Sequence, residues 1–118
     1  MMYYKTELGK IGEDIAVQYL LGKSYKIVQK NFRCRQGEID IVAKDGQELV
    51  FVEVKTRTSN KYGEPCEAVH DIKIKHIFRV AEYYIYVNKI KNTYIRIDVI
   101  EIIIDRELSE IRHIKQVV

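Results

Sequence analysis

The chain has 118 residues, a length that suits a single domain spanning 1–118 around one hydrophobic core. Apolar residues make up 47% and charged residues 31%, with a net charge of +3, so the composition excludes a disordered tail and does not by itself demand a polyanionic partner. No apolar run is long enough to cross a bilayer, and Met1-Met2-Tyr3-Tyr4-Lys5 lacks the apolar segment of a signal peptide, so no membrane partner and a cytoplasmic location are expected.

Helical spacing of Leu8, Ile11, Ile15, Ala16, Tyr19 and Leu20 predicts a helix over Glu7 to Leu21, with Gly22 as its stop. Gly9 and Gly12 each cost roughly 1 kcal/mol against alanine there. Close helix packing, or the approach of a backbone or a phosphate, would account for them. Glu13 and Asp14 follow, favoured in any case by the positive end of the helix dipole. Tyr25 to Phe32 reads as a first strand, Arg33 to Gly37 as a turn, Glu38 to Ala43 as a second strand, Asp45-Gly46 as a hairpin turn and Glu48 to Thr56 as a third strand. Thr58 to Glu64 is a polar loop. A second helix should start near Pro65 or Cys66, carry the stripe Val69, Ile72, Ile77, Val80, Ala81 and Tyr84, and fade near Val87-Asn88. Tyr94 to Ile104 and, more weakly, Ser109 to Lys115 complete the strands. A strand–helix–strand crossover makes the third and fourth strands parallel and right-handed. The expectation is an α/β fold, a mixed sheet flanked by helices.

Cys34 and Cys66, the only cysteines, form no Cys-x-x-Cys pair and no zinc pattern with His70, His76 or His113, so both read as reduced and unpaired. Cations cluster at Lys23, Lys26, Lys30, Arg33 and Arg35, then at Lys55, Arg57 and Lys61, then at Lys73, Lys75 and Arg79. Such clusters can neutralise phosphates, although a solvated basic surface explains any one of them. Tyr83, Tyr84 and Tyr86 suit base stacking, and suit amphipathic packing better.

The sharper signal is charge inside apolar strands. Asp40 lies between Ile39 and Ile41, and Glu53 and Lys55 lie within Leu49 to Lys55. Alternation puts Glu53 with Lys55, and Glu38 with Asp40, on common faces roughly 6.5–7 Å apart. A hairpin that sets Asp40 across from Glu53 would bring two carboxylates together beside a lysine. That set suits Mg²⁺, a hard cation that keeps several waters, with Lys55 orienting a water or stabilising developing charge. Glu38 could ligate or hydrogen-bond behind Asp40. A surface ion pair worth at most about 1 kcal/mol fits the spacing equally well. Spacing alone leaves both readings open.

Gly37-Glu38-Ile39-Asp40-Ile41-Val42 followed by Phe51-Val52-Glu53-Val54-Lys55-Thr56-Arg57 resembles the PD-(D/E)xK nuclease superfamily, the restriction-endonuclease-like fold, with Ile39 where that motif has proline. More closely, the chain resembles the YraN family of bacterial proteins, through Gly9-x-x-Gly12-Glu13, Tyr62-Gly63-x-Pro65-x-Glu67-Ala68-Val69 with Lys73 after it, and Arg96-x-Asp98-Val99. The motif layout is similar to that of archaeal Holliday junction resolvases. The resemblance implies an αβββαβ core and a Mg²⁺ or Mn²⁺ site at Asp40 and Glu53, with the Val54 carbonyl as a further ligand. It also implies a catalytic set of Asp40, Glu53, Lys55 and Glu13, with Glu13 completing the metal shell. The expected activity is hydrolysis of phosphodiester bonds in DNA, including branched or processed DNA. Arg33, Arg35, Arg57, Lys73 and Lys75 would contact phosphates, and a homodimer is the assembly such relatives suggest. The alternative is a nucleic-acid-binding module that keeps the fold and cleaves nothing.

Overall fold

The computed structural model describes residues 2–58, 71–105 and 109–117, with side chains from Glu7 in the first helix and from Ile74 in the second. Its elements are α1 (Met2–Gly22), β1 (Lys26–Cys34), β2 (Gly37–Asp45), β3 (Glu48–Arg57), α2 (Asp71–Val87), β4 (Ile95–Ile104) and β5 (Ser109–Ile114). Among the described residues they form one five-stranded sheet in the order β1-β2-β3-β4-β5. β3 and β4 run parallel and the other neighbours antiparallel, so the mixed sheet and the crossover are as expected. The order α-β-β-β-α-β matches the core that the resemblance implies.

Period-two alternation buries both sheet faces. Val50 and Val52 on β3, Ile41 and Ala43 on β2, and Ile100 and Ile102 on β4 pack under Ala16 and Leu20 of α1. Leu49, Phe51, Val42 and Ile97 point the other way, against Ile77, Val80, Ala81 and Tyr84 of α2. Tyr84 thus packs edge-on against Phe32 and Phe51, while Tyr86 is exposed. α1 closes through a residue at positive φ. Ser24 (φ 71) lets its own amide return to the Leu21 carbonyl at 3.0 Å and the Tyr25 amide to that of Leu20 at 2.9 Å. This is a Schellman closure, sealed by burial of Leu20 and Tyr25 in one cluster.

Several boundaries differ from the sequence reading. α1 begins at Met2 rather than Glu7. β1 runs to Cys34, so the turn is Arg35-Gln36 rather than Arg33 to Gly37. The reason is cross-strand pairing: Arg33 stands opposite Glu38 and their side chains meet at 3.2 Å, so a polar stretch that reads as a turn is an exposed strand end. Pro65, Cys66 and most of the predicted Thr58 to Glu64 loop lie outside the described residues, where α2 begins at Asp71.

Gly12 answers the question its position raised. A Cβ there would run into the Thr56 hydroxyl and methyl on β3, so the helix glycine is needed for close approach to the sheet. Gly12→Ala is expected to destabilise the protein by about 1–3 kcal/mol through overpacking, read as a lower urea midpoint at unchanged slope. Gly9→Ala, with open space around its site, should be neutral or stabilising.

Candidate functional site

The β2–β3 ladder runs from Asp45↔Glu48 to Ile41↔Val52 and stops there. A straight continuation would set Asp40 opposite Glu53. Instead, β2 changes face: Ile39 packs with α2 while Ile41, two residues on, packs with α1. The Asp40 carboxylate fills the gap, its Oδ2 accepting the Val54 amide N–H at 2.8 Å. A backbone donor that would otherwise lose its ladder partner is thereby satisfied. β1 bends at the same level. Asn31, between the pairs Lys30↔Ile41 and Phe32↔Ile39, sits at φ 54, a conformation asparagine tolerates better than most residues. Two coincident irregularities open the sheet at Asp40.

Into this opening come further carboxylates. Glu13, reaching from α1, has Asn31 and Asp40 as side-chain neighbours. The Asp40 carboxyl is pushed up to about 8, first by burial and then by the charge of Glu53, with Glu13 and Glu38 adding to the rise and the Val54 amide opposing it. Glu13 is raised as well, by burial and then by Glu38. Lys55 stands beside the cluster, its Nζ 3.9 Å from Glu53 Oε2. An open hollow of about 370 Å³, lined by Gly9, Lys10, Glu13, Asn31, Arg33 and Glu38, leads to it.

Hard oxygen donors in mutual repulsion are the donor chemistry a divalent cation would relieve, and Mg²⁺ needs only one or two protein carboxylates, with waters completing its shell. No group of three or more His, Cys, Asp or Glu side chains among the described residues is drawn into a ready cage for a metal. Asp40 and Glu53, with Glu13 at the margin, are oxygen donors of the kind that would suit a water-rich Mg²⁺ or Mn²⁺ ion.

The expected phosphate contacts are scattered. Arg33 lines the hollow, paired with Glu38, and Arg35 is exposed in the adjacent turn. Arg57 follows Lys55 on the same face of β3 and is paired with Glu101. Lys75 is exposed on α2, and the Lys73 side chain lies outside the described residues. Cys34 carries a free thiol, while Cys66 lies outside the described residues.

A second charged network, around Arg96, was not anticipated. The Arg96 Nε and Nη2 both donate to Asp98 at 3.0 Å, Nη1 donates to Asp45 at 3.0 Å and Glu48 at 2.7 Å, and Nη2 also reaches the Tyr25 hydroxyl at 2.6 Å. His113 on β5 joins it. Ionised Asp98 only accepts, so His113 Nε2–H donates to it at 2.7 Å, and Nδ1 of the same ring lies 3.0 Å from the Tyr19 hydroxyl. Arg96 and Asp98, two apart on one strand, had to share a face. Nothing in the local pattern of β5 points at His113. Asn31 was likewise missed, since a strand asparagine reads as ordinary surface.

The sequence profile of the uncharacterised protein family UPF0102 matches residues 12–102. A UPF0102 protein of Caldicellulosiruptor saccharolyticus is 48% identical over 113 residues, covering 94% of this chain and 96% of its own. One from Clostridioides difficile is 50% identical over 106 residues, covering 89% and 93%. One from Geobacter metallireducens is 46% identical over 114 residues, covering 97% and 93%. The family match, residues 12–102, includes Glu13, Asp40, Glu53 and Lys55.

Proposed function

Because the chain belongs to UPF0102, the family of YraN-like bacterial proteins, whose name states no activity, we propose its function from the site itself: metal-dependent hydrolysis of phosphodiester bonds in DNA. The observation that carries the proposal is the break in the sheet at Asp40. There the Asp40 carboxylate feels the charge of Glu53, itself 3.9 Å from the Lys55 ammonium, and more weakly that of Glu13, a costly setting for a protein that needed only a stable strand pair.

Each residue has a role that follows from its placement. The Val54 amide pins one oxygen of Asp40 and so fixes the orientation of its carboxylate. Asp40 and Glu53, with Glu13 and the Val54 carbonyl in support, would hold Mg²⁺ or Mn²⁺. When bound, such an ion supplies a more acidic water and charge stabilisation for a phosphoryl oxygen. The Lys55 ammonium, tethered by Glu53, supplies a donor for the attacking water and positive charge where the transition state becomes negative. Arg33, lining the hollow, and Arg35, exposed in the adjacent turn, suit backbone phosphates.

The test is incubation with branched, flapped, single-stranded and duplex DNA in Mg²⁺ or Mn²⁺. Cleavage is expected, falling by about 100- to 1000-fold in Lys55→Ala and by at least as much in Asp40→Ala. Salt-sensitive binding without cleavage, indifferent to both substitutions, would instead identify a binding module that keeps the fold.

A further inference from the structure

The tyrosines of α2 suit both stacking and packing, and the helix divides them between the two. Tyr84 is 4% exposed and belongs to the core, whereas Tyr83 and Tyr86 are 40% and 78% exposed on the side turned away from the sheet. Phe78, at the edge of the same side, is 44% exposed. An amphipathic helix buries its apolar stripe and turns polar residues to water. Three large rings on the outer side of α2 therefore call for something to cover them.

Positions three and four apart are neighbours on a helix surface. Arg79, Tyr83 and Tyr86 thus form one stripe, and Lys89 carries it past the helix end at Val87. The exposed charges along it are Lys75, Arg79 and Lys89 against the single acid Glu82. Phe32 of β1 backs the Tyr83 ring, with centroids 6.3 Å apart and planes tilted by 34°. Tyr86 borders a hollow of about 530 Å³, together with Ile85, Lys89, Ile90 and Lys91. The helix also lies alongside the carboxylate site, since Gly37, at the start of β2 shortly before Asp40, sits against Val80.

Rings interleaved with cations suit a chain of bases joined by phosphates: every base has a face to stack, and the cations follow the backbone. A duplex hides those faces in its own stack, so only a strand with unpaired bases can use the rings. A second copy of this chain fits less well, because a two-fold contact would set the same cations against each other. We infer that the outer side of α2 binds single-stranded DNA, its bases stacked on Tyr83 and Tyr86 and its backbone along Arg79 and Lys89. The inference names the substrate class of the phosphodiester reading and rests on that reading only for the bond that is cut.

The experiment measures binding by fluorescence anisotropy, with the full chain in EDTA across a series of salt concentrations. The ligands are a labelled single strand, the matching duplex and an abasic strand of equal length, which keeps the phosphates and lacks the bases. The proteins are the parent, Tyr86→Ala, Tyr86→Phe, Tyr83→Leu and Arg79→Gln, with unfolding midpoints and Mg²⁺-dependent cleavage recorded alongside. The parent should prefer the single strand to both other ligands. Tyr86→Ala should lose about tenfold in affinity for it at an unchanged salt slope, and Tyr86→Phe should retain the parent affinity. Arg79→Gln should instead lower the slope by about one. Equal affinity for all three ligands, or unchanged affinity in Tyr86→Ala, overturns the inference even if the parent cleaves DNA. A dimer that Tyr86→Ala converts to monomer in sedimentation, with DNA affinity intact, assigns the face to a second copy and overturns it too. Base-dependent binding by a parent that never cleaves keeps the surface and removes the hydrolytic reading. Should Tyr83→Leu fail to fold through its contact with Phe32, Tyr86, which takes no part in the core, decides alone.

Discussion

In EDTA at pH 8, Asp40→Asn is expected to unfold about 5–15 °C above the parent protein, while losing phosphodiester cleavage in Mg²⁺. Both effects have one origin. Asp40 is half-buried near Glu13, Glu38 and Glu53, and its carboxyl is pushed up to about 8, by burial first and by Glu53 second. An acid whose folded value lies above its unfolded value of about 4 binds more protons folded than unfolded between those limits. Its contribution to stability is fully present below about pH 4 and is lost as the pH rises through about 8. Asparagine has no charge to repel, its Oδ1 can still accept the Val54 amide, and its Nδ2 can donate toward the surrounding carboxylates. A gain of about 1–3 kcal/mol follows, largest at pH 8 and small at pH 5, measurable by thermal melts at the two values. Mg²⁺ or Mn²⁺ should raise the melting temperature of the parent and leave that of the variant unchanged, since only the parent keeps the donor. An Asp40→Asn protein less stable than the parent in EDTA at pH 8 would mean that the carboxylates do not repel, and the metal reading would lose its basis.

Asp40, Glu53 and Lys55 could be picked out of the sequence because a charge between two apolar strand residues is conspicuous at period two. How they meet could not be read there. A straight ladder sets Asp40 across from Glu53, but pairing ends at Ile41↔Val52 and Asp40 takes the Val54 amide instead. That departure coincides with the positive φ of Asn31 on the next strand, which nothing local in Lys30-Asn31-Phe32 prescribes. Gly12 was legible as a need for close approach, and only the packing of α1 on β3 identified Thr56 as what comes close. The parallel β3–β4 pair was legible because a helix intervenes and the handedness of crossovers leaves little choice. Glu101, inside a run of isoleucines, gives no sign there of its partners, Arg57 on β3 and Arg112 on β5. Local pattern assigns a residue to a face. It does not say which distant cation lies on that face.

Asp98 should behave oppositely to Asp40, and its loss should cost more than any other single change considered. Asp98→Asn is expected to destabilise the protein by about 3–5 kcal/mol at pH 7, the usual penalty for removing one partner of a buried charged network. Asp98 is fully buried and takes two bonds from Arg96, one from His113 and one from the Gln116 amide. Without it the Arg96 guanidinium, itself 7% exposed, keeps only the more exposed Asp45 and Glu48 and the Tyr25 hydroxyl. His113 also loses the acceptor that sets its tautomer, and with it the bridge from β5 to Tyr19 on α1. Burial alone would push the Asp98 carboxyl up, but the hydrogen bonds from His113, Arg96 and the Gln116 amide outweigh it and hold the group below the usual carboxylate range. A depressed acid contributes stability that is present above its unfolded value, about pH 4, and is lost as the pH falls through the folded one. Urea unfolding of parent and Asp98→Asn should therefore differ most at neutral pH and converge in acid, whereas the Asp40→Asn difference widens toward alkaline pH. Two aspartates of one sheet, one half-buried and one fully buried, take opposite signs because one faces carboxylates and the other a guanidinium. A penalty for Asp98→Asn that stays constant from pH 7 into the acid range would assign its role to shape and packing instead of charge.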